Sequence, residues 1–170
     1  HSQASFHAGR TNLYSRHQPA KEYRLNKSCY CVWNLQSTDR ESALSELLSS
    51  VPGIGSHSRE MLLKALQIRE QAGATLVTTG IAMPHCRSIL VDDMVIAIGK
   101  SDSGIPWPEE PARVVVMFIS PVKLSGPQEH MNLIAHLANQ MKTNGPEKIT
   151  GADSPERLAG LLGLSIIQGG

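Results

Sequence analysis

The stretch Val114-Val115-Val116-Met117-Phe118-Ile119 decides the fold of this 170-residue chain. Its six residues are apolar without a break and include three β-branched valines and an isoleucine. A strand with one solvated face alternates apolar and polar residues, whereas a continuous apolar run is typical of a strand covered on both faces. The stretch therefore predicts a central strand in a layered αβ domain, with helices on either side of the sheet.

Shorter segments on either side of this strand supply the rest of the sheet. Residues 28–35, 75–77, 80–83 and 94–98 have strand-like composition. Gly104-Ile105-Pro106-Trp107-Pro108 is predicted to be a rigid connection, because proline cannot donate to a central ladder. Residues 165–168 are too few to assign. The expected fold is a three-layer αβ sandwich (α/β class) with a mixed sheet of about five strands between helices.

Capping signals and apolar periodicity predict four helices. The first begins in Ser37-Thr38-Asp39-Arg40-Glu41 and ends at Pro52-Gly53, and the second covers about residues 58–72 before Gly73. The third covers about residues 128–142, and the fourth begins at Ser154-Pro155-Glu156. The predicted core faces are Ala43, Leu44, Leu47 and Leu48; then Met61, Leu62, Ala65, Leu66 and Ile68; then Met131, Leu133, Ile134, Leu137 and Met141; and finally Leu158, Leu161 and Leu162.

The composition argues against several classes of protein. The formal net charge is +1 and no two Lys or Arg residues are adjacent, so neither nucleic acid nor a membrane surface is indicated as a partner. No apolar run approaches the roughly 18 residues of a membrane span. The three cysteines, Cys29, Cys31 and Cys86, form neither a disulfide framework nor a zinc-ligand pattern, which favours a reducing cytoplasm.

The polar residues 1–27 lack periodicity and are predicted to form an N-terminal extension or linker. Residues 28–170 are predicted to form one domain. The chain begins with His1 and shows no signal-peptide pattern, so we expect it to be trimmed, tagged or part of a longer protein.

The stretch Thr79-Gly80-Ile81-Ala82-Met83-Pro84-His85 places a histidine directly after a proline at the end of an apolar run. Proline fixes its own φ and restricts the preceding residue, so the His85 imidazole is carried on a stiff backbone. A ring held in this way is a candidate nucleophile or ligand. The spacing by itself favours a partly buried structural histidine.

Two further residues, Arg69 and His130, favour a chemical role for His85. Arg69 lies in the last turn of the second helix, and His130 lies in the predicted first turn of the third. A neutral imidazole can attack phosphorus, and a guanidinium binds phosphate oxygens in pairs. An imidazole N–H beside a helix N-terminus also favours phosphate. The three residues together predict a site that handles a phosphoryl group.

The same residues carry a family resemblance that covers about residues 28–165. Gly80-Ile81-Ala82-Met83-Pro84-His85 resembles the phosphorylation motif Gly-(Ile/Val)-Ala-(Ile/Met)-Pro-His of the enzyme IIA domains in the fructose/mannitol/nitrogen-regulatory branch of the bacterial phosphoenolpyruvate-dependent phosphotransferase system. Arg69-Glu70, sixteen residues before His85, resembles that family's Arg-Glu pair. Glu129-His130, with the histidine 45 residues after His85, resembles its second active-site histidine.

The resemblance implies a phosphotransferase with a phosphohistidine intermediate. His85 would accept a phosphoryl group from the histidine phosphocarrier protein as tele-phosphohistidine and pass it to an enzyme IIB protein or domain in sugar uptake. Arg69 and His130 would stabilise the phosphate, and neither a metal nor an organic cofactor is implied. The alternative is a regulatory domain, of the nitrogen-regulatory type or attached to a membrane transporter, whose binding to a transporter or kinase depends on phosphorylation. A degenerate copy is disfavoured because all three residues are intact.

Two departures from the family pattern flank the motif. Cys86 follows the histidine where glycine is common, and Thr78-Thr79-Gly80 replaces a common Gly-Asn-Gly turn. Because a lost glycine removes access to positive φ, the loop is expected to differ here. Cys86 is expected to be structural rather than redox-active. The remaining histidines are expected to be structural, solvent-facing or part of the N-terminal segment: His1, His7, His17, His57 and His136.

Overall fold

The computed structural model describes residues 28–73 and 75–167, so the predictions for residues 1–27 and 168–170 lie outside it. The elements in chain order are β1 (Ser28–Val32), α1 (Arg40–Ser49), α2 (Ser56–Ala72), β2 (Leu76–Thr78), β3 (Ile81–Ala82), β4 (His85–Ser88), β5 (Val95–Ile105), β6 (Ala112–Pro121), α3 (Gly126–Asn144), α4 (Pro146–Thr150), α5 (Pro155–Leu161) and β7 (Ser165–Ile166).

The described strands form one mixed sheet in the order β2-β3-β6-β5-β1-β7, with β4 also paired to β6. β5 and β6 are antiparallel, as are β2 and β3, while β1 is parallel to both β5 and β7. β3 and β4 both run parallel to β6 and follow one another along it. They therefore act as one strand beside β6, interrupted at Met83-Pro84, where proline has no N–H to donate. The predicted mixed sheet is confirmed, although it has seven strands among the described residues rather than about five.

β6 is the central strand that the apolar run predicts. Val114, Val116 and Phe118 pack with α3, α4 and α5 on one face of the sheet. Val115, Met117 and Ile119 pack with α1 and α2 on the other. All six residues have no measurable exposure. Because both faces are covered by helices, alternate residues along β6 are equally apolar, and the three-layer prediction is confirmed.

The helix caps agree with the sequence, but parts of two predicted core faces are wrong. Asp39 caps α1 by accepting from the N–H of Ser42, and Ser154 caps α5 by accepting from that of Arg157. On α2, Leu62 and Leu66 are buried, whereas Met61 and Ile68 are 48% and 67% exposed. Met131 on α3 is 58% exposed. Each of these three lies beside the buried stripe of its helix, because a helix covering one face of a sheet buries only a narrow stripe.

Several boundaries also differ from the predictions. β1 ends at Val32, and β5 continues to Ile105, which pairs with Ala112 beyond an irregularity in the ladder. The segment Gly104-Ile105 is thus the end of a strand rather than part of the connection. The sequence did not predict β4, α4 or β7, which have four, five and two residues. Among the described helices, none is both long and apolar enough to cross a bilayer.

Candidate functional site

The turn before His85 depends on one glycine. Gly80 has φ +75°, and its carbonyl oxygen accepts from the N–H groups of Arg113 and Val114 at 2.7 and 3.0 Å. No described non-glycine residue has positive φ, so Thr78 and Thr79 occupy ordinary backbone conformations. The turn therefore requires the special freedom of glycine at Gly80 alone.

The two residues preceding His85 are held from both sides. The N–H of Met83 donates to the carbonyl of Thr75 at 2.7 Å, and the N–H of Phe118 donates to the carbonyl of Pro84 at 3.1 Å. The Met83 side chain is also buried in the α3-facing core. His85 is then the first residue of β4, in register with Phe118 of β6. The stiff backbone expected at His85 is thus fixed by strand pairing as well as by proline.

The His85 imidazole has a defined tautomer. Its Nδ1 lies 2.8 Å from the carbonyl oxygen of Met83. A carbonyl oxygen can only accept, so Nδ1 carries the hydrogen and Nε2 keeps a lone pair in the neutral ring. The ring stacks on Phe118, with the centroids 4.8 Å apart and the planes at 5°. His85 is 8% exposed, so little of the ring meets solvent.

Burial lowers the pKa of His85 below its ordinary value, because a buried imidazolium loses hydration. The hydrogen bond to Met83 opposes this effect, and the nearby positive charge of Arg69 adds to it. The ring is therefore neutral at neutral pH. A neutral imidazole with a free Nε2 lone pair is the form that can act as a nucleophile.

His130 lies against both rings of this stack. Its ring centroid is 5.2 Å from that of His85 and 5.2 Å from that of Phe118, and its plane is tilted by 54° to each. α3 begins at Gly126, so His130 is the fifth residue of the helix and lies one turn inside it, not in the first turn as the sequence predicted. Burial lowers the pKa of His130 to about 4, with further contributions from His85, Arg87 and Arg69.

Arg69 approaches from the other helical layer, at the end of α2. Its guanidinium is exposed, and Nη1 donates to the carbonyl of Gly73 at 3.1 Å. Its positive charge lowers the pKa of both His85 and His130. The rings of His85 and His130 lie side by side, and α2, whose last turn carries Arg69, packs against β4.

Glu70, the neighbour of Arg69, is 3% exposed and anchors the end of α2. It accepts hydrogen bonds from the hydroxyl and the N–H of Thr75, and from Nε1–H of Trp107 at 3.2 Å. Arg40 of α1 pairs with it at 3.7 Å and lies over the Trp107 ring. A buried carboxylate needs such partners, so this network fixes the direction in which α2 presents Arg69.

Arg87 is a fourth candidate that the sequence analysis missed. It lies two residues after His85 on β4, so both side chains project from the same face of the strand. It is in register with Ser120, and a methyl group placed on Gly126 at the start of α3 would lie 3.1 Å from its Nη2. Its charge also lowers the pKa of His130. The sequence did not predict β4. Once β4 is known to be a strand, Arg87 is identified because residues two apart on a strand share a face, and Arg87 lies two residues after His85.

The other flagged residues take structural positions. Cys86 points to the face opposite His85 and packs in the α1/α2 core, where burial raises the pKa of its thiol to about 12. Cys29, Cys31 and Cys86 are all free thiols. Nε2 of His136 lies 3.1 Å from the Gly163 carbonyl and donates to it, and His57 is exposed. Within residues 28–73 and 75–167, no cluster of His, Cys, Asp or Glu is arranged to hold a metal ion.

A protein-family model described as "Phosphoenolpyruvate-dependent sugar phosphotransferase system, EIIA 2" matches residues 25–162. The 2-O-alpha-mannosyl-D-glycerate-specific EIIABC component of Escherichia coli K12 is 26% identical over 144 residues, which are 81% of this chain and 21% of that protein. The fructose-specific EIIABC component of Bacillus subtilis 168 is 28% identical over 88 residues, or 49% and 14%. The chain thus spans about a fifth or less of these relatives' length.

Solved structures share the fold. Nitrogen regulatory protein IIA-Ntr from Neisseria meningitidis superposes with a TM-score of 0.64 at 19% identity, covering 81% of this chain and 94% of that one. IIA mannitol from Escherichia coli gives 0.59 at 17% identity, covering 81% and 96%. The same protein in complex with phosphorylated enzyme IIB mannitol gives 0.59 at 16% identity, covering 81% and 94%. At these identities the likeness establishes the fold alone.

Proposed function

The chain belongs to the EIIA 2 family of the phosphoenolpyruvate-dependent sugar phosphotransferase system, and we propose that it acts as a phosphocarrier through Nε2 of His85. The observation that carries this proposal is the 2.8 Å contact between Nδ1 of His85 and the Met83 carbonyl. It fixes the hydrogen on Nδ1 and leaves the Nε2 lone pair free. The product of phosphorylation is then tele-phosphohistidine.

The transfer step balances without a metal or an organic cofactor. The Nε2 lone pair attacks phosphorus of a donor phosphohistidine, the donor N–P bond breaks, and its electron pair returns to the donor imidazole. As the new N–P bond forms, the His85 ring gains positive charge, and the Met83 carbonyl dipole at Nδ1 stabilises it. When the group moves on to an acceptor, His85 leaves as a neutral imidazole that still carries its Nδ1 hydrogen.

Three groups around His85 are proposed to stabilise the transferring phosphoryl oxygens. Arg69 and Arg87 supply guanidinium groups, which bind phosphate oxygens through paired N–H donors. His130 supplies one imidazole N–H from a neutral ring. Phosphoryl transfer depends mainly on positioning and charge stabilisation of this kind. Phe118 covers one face of the His85 ring, so the phosphoryl group is expected to approach Nε2 in the ring plane.

The proposed donor is the histidine phosphocarrier protein, and the proposed acceptor is an enzyme IIB protein or domain. The solved complex of enzyme IIA mannitol with phosphorylated enzyme IIB, which shares this fold, supports the acceptor. The sugar-specific components of Escherichia coli and Bacillus subtilis that resemble this chain support a role in sugar uptake.

The proposal is tested by incubating the protein with phosphoenolpyruvate, enzyme I and the histidine phosphocarrier protein, followed by intact-mass analysis. We expect one acid-labile phosphoryl group on the wild type and on the control variant His57→Ala, whose side chain is exposed. His85→Ala should carry none. An unlabelled wild type, or a His85→Ala variant labelled as fully as the wild type, would contradict the proposal.

A regulatory role is the second candidate, supported by the likeness to nitrogen regulatory protein IIA-Ntr. Both roles require phosphorylated His85, so the discriminating step is the next transfer. In a sugar-uptake carrier, label on His85 moves to an added enzyme IIB protein. In a regulatory domain, the label stays on His85, and binding to a transporter or kinase differs between the phosphorylated and unphosphorylated forms.

A further inference from the structure

We propose that Ser120 is a positioning residue that fixes His130 as the Nε2–H tautomer, so that its ring N–H donates to the phosphoryl oxygens. This inference rests on the proposed phosphocarrier function for its purpose, although the tautomer itself can be measured without any phosphoryl transfer. Ser120 lies on β6 and has no measurable exposure. A buried hydroxyl must find partners, and Ser120 finds two.

The two partners compete for one hydrogen. Oγ of Ser120 lies 2.6 Å from Nδ1 of His130 and 3.2 Å from Sδ of Met94. Sδ can only accept, and the hydroxyl has a single hydrogen. If that hydrogen points to Met94, His130 must carry its own hydrogen on Nδ1. If it points to His130, Nδ1 accepts and the ring hydrogen lies on Nε2.

The second arrangement is favoured. A thioether sulfur is a weak acceptor, whereas an unprotonated imidazole nitrogen is a strong one. Both arrangements place a hydrogen bond between Oγ and Nδ1, but the 2.6 Å separation is shorter than the range of about 2.7–3.2 Å for N–H donors and lies within that of hydroxyl donors. Ser120 therefore donates to Nδ1 of His130. The Met94 sulfur then only packs against the hydroxyl oxygen and does not receive its hydrogen.

The tautomer matters because His130 is neutral at neutral pH and has only one ring N–H. With the hydrogen on Nδ1, the ring would turn the Nε2 lone pair towards phosphoryl oxygens, and two acceptors repel. With the hydrogen on Nε2, the same ring is a donor on the side away from Ser120. Which form is present decides whether His130 stabilises or opposes the transferring group.

The strand geometry explains why Ser120 can do this. Phe118 and Ser120 are two residues apart on β6, so both side chains project towards α3. The first stacks on His85 and the second bonds to His130. Across the ladder they pair with His85 and Arg87 of β4. On β4, residues two apart are therefore His85, proposed to react, and Arg87, proposed to bind phosphate. On β6, Ser120 is the group that orients His130.

The decisive experiment is a long-range ¹H–¹⁵N NMR spectrum of the unphosphorylated protein at neutral pH, with the rings assigned by histidine variants. We expect a pyrrole-like Nε2 and a pyridine-like Nδ1 for His130 in the wild type. Ser120→Ala should give averaged shifts, as in a free imidazole that exchanges between both tautomers. Met94→Leu, a volume-conserving control, should leave the wild-type pattern unchanged.

Two results would overturn the inference: a pyrrole-like Nδ1 on His130 in the wild type, or identical His130 shifts in wild type and Ser120→Ala. The transfer rate gives a second readout. Ser120→Ala should slow phosphorylation of His85 by about tenfold to a hundredfold, by analogy with the loss of partners that orient metal-ligating histidines. If His85 is never phosphorylated in any variant, the proposed function fails, while the tautomer result still decides the role of Ser120.

Discussion

The imidazole of His85 lies parallel to the phenyl ring of Phe118, with the centroids 4.8 Å apart and the planes at 5°. The stack covers one face of the histidine ring, and Nδ1–H of His85 donates a hydrogen bond to the Met83 carbonyl. The ring can therefore neither flip nor offer Nδ1 to a phosphoryl group without breaking a buried contact. This pairing leaves Nε2 as the atom that we propose to react.

Replacing Arg87 should impair transfer without impairing stability. Among the described residues, the Arg87 side chain has no ion-pair or hydrogen-bond partner, so Arg87→Gln should change the free energy of unfolding by less than about 0.5 kcal/mol. Loss of one charged donor from the site should slow phosphorylation by about tenfold to a hundredfold. Removing the cation should also raise the pKa of His130, which an NMR titration measures directly.

Arg113→Gln is the matched control for this experiment, since Arg113 is an exposed arginine on the neighbouring strand β6. It should leave both the transfer rate and the pKa of His130 unchanged. Equal effects of the two substitutions would mean that only net charge matters. That result would remove Arg87 from the site.

Stability should fall as the pH drops from about 6.5 towards 4. The pKa of His130 is about 4 in the folded chain and near the reference value of 6.5 when unfolded, so the unfolded state binds more protons in this window. The full shift would be worth about 3 kcal/mol, and solvent at a half-buried ring reduces this to about 1–2 kcal/mol. Urea unfolding at pH 7 and pH 4.5 measures the difference, and His130→Gln should reduce it. A wild type equally stable at both values would refute the assignment of a neutral, buried His130.

The Glu70 network should make a large contribution to stability. In Glu70→Gln the side chain keeps its size, but its new NH₂ group faces donors from Thr75 or Trp107 and the charge facing Arg40 is lost. Leaving buried donors unpaired should cost about 2–3 kcal/mol. The free energy of unfolding in urea, followed by tryptophan fluorescence, gives the value. The exposed control Glu109→Gln should have a free energy of unfolding within about 0.5 kcal/mol of the wild type. A change as small as this for Glu70→Gln would show that the network does not stabilise the fold.

Two glycine-to-alanine substitutions should change the stability of the folded chain in opposite directions. Gly80→Ala forces an L side chain to φ +75° and brings its Cβ 3.3 Å from Cγ2 of Thr150, at a cost of about 1–2 kcal/mol. Gly160 lies in α5 with open space around its Cα, so Gly160→Ala should stabilise the chain by about 0.5 kcal/mol. Thermal unfolding should therefore move down for the first variant and up for the second. A shift in the same direction for both would contradict the role given to the Gly80 turn.

The sequence was most informative where local patterns and burial coincide. The apolar run at residues 114–119 identified the central strand, and the caps at Asp39 and Ser154 identified two helix starts. It failed for β4, because His85-Cys86-Arg87-Ser88 has no apolar alternation and becomes a strand only through pairing with β6. It also wrongly predicted Met61, Ile68 and Met131 to be buried. Periodicity shows which residues share a helix face, but it does not show how wide a part of that face the sheet covers.

By itself, the sequence predicted the layered fold from local patterns, and it predicted the candidate site from the motif ending at His85 taken together with Arg69 and His130. Only the tertiary structure decided the chemistry of each ring. The hydrogen on Nδ1 of His85 follows from the local fold that turns the Met83 carbonyl towards the ring. The low pKa of His130 and the positions of Arg87 and Ser120 arise from contacts of β4 with β6 and α3, and β5 separates β4 from both of these elements in the chain. Proton positions and charge interactions depend on distances through space, and a linear pattern does not contain those distances.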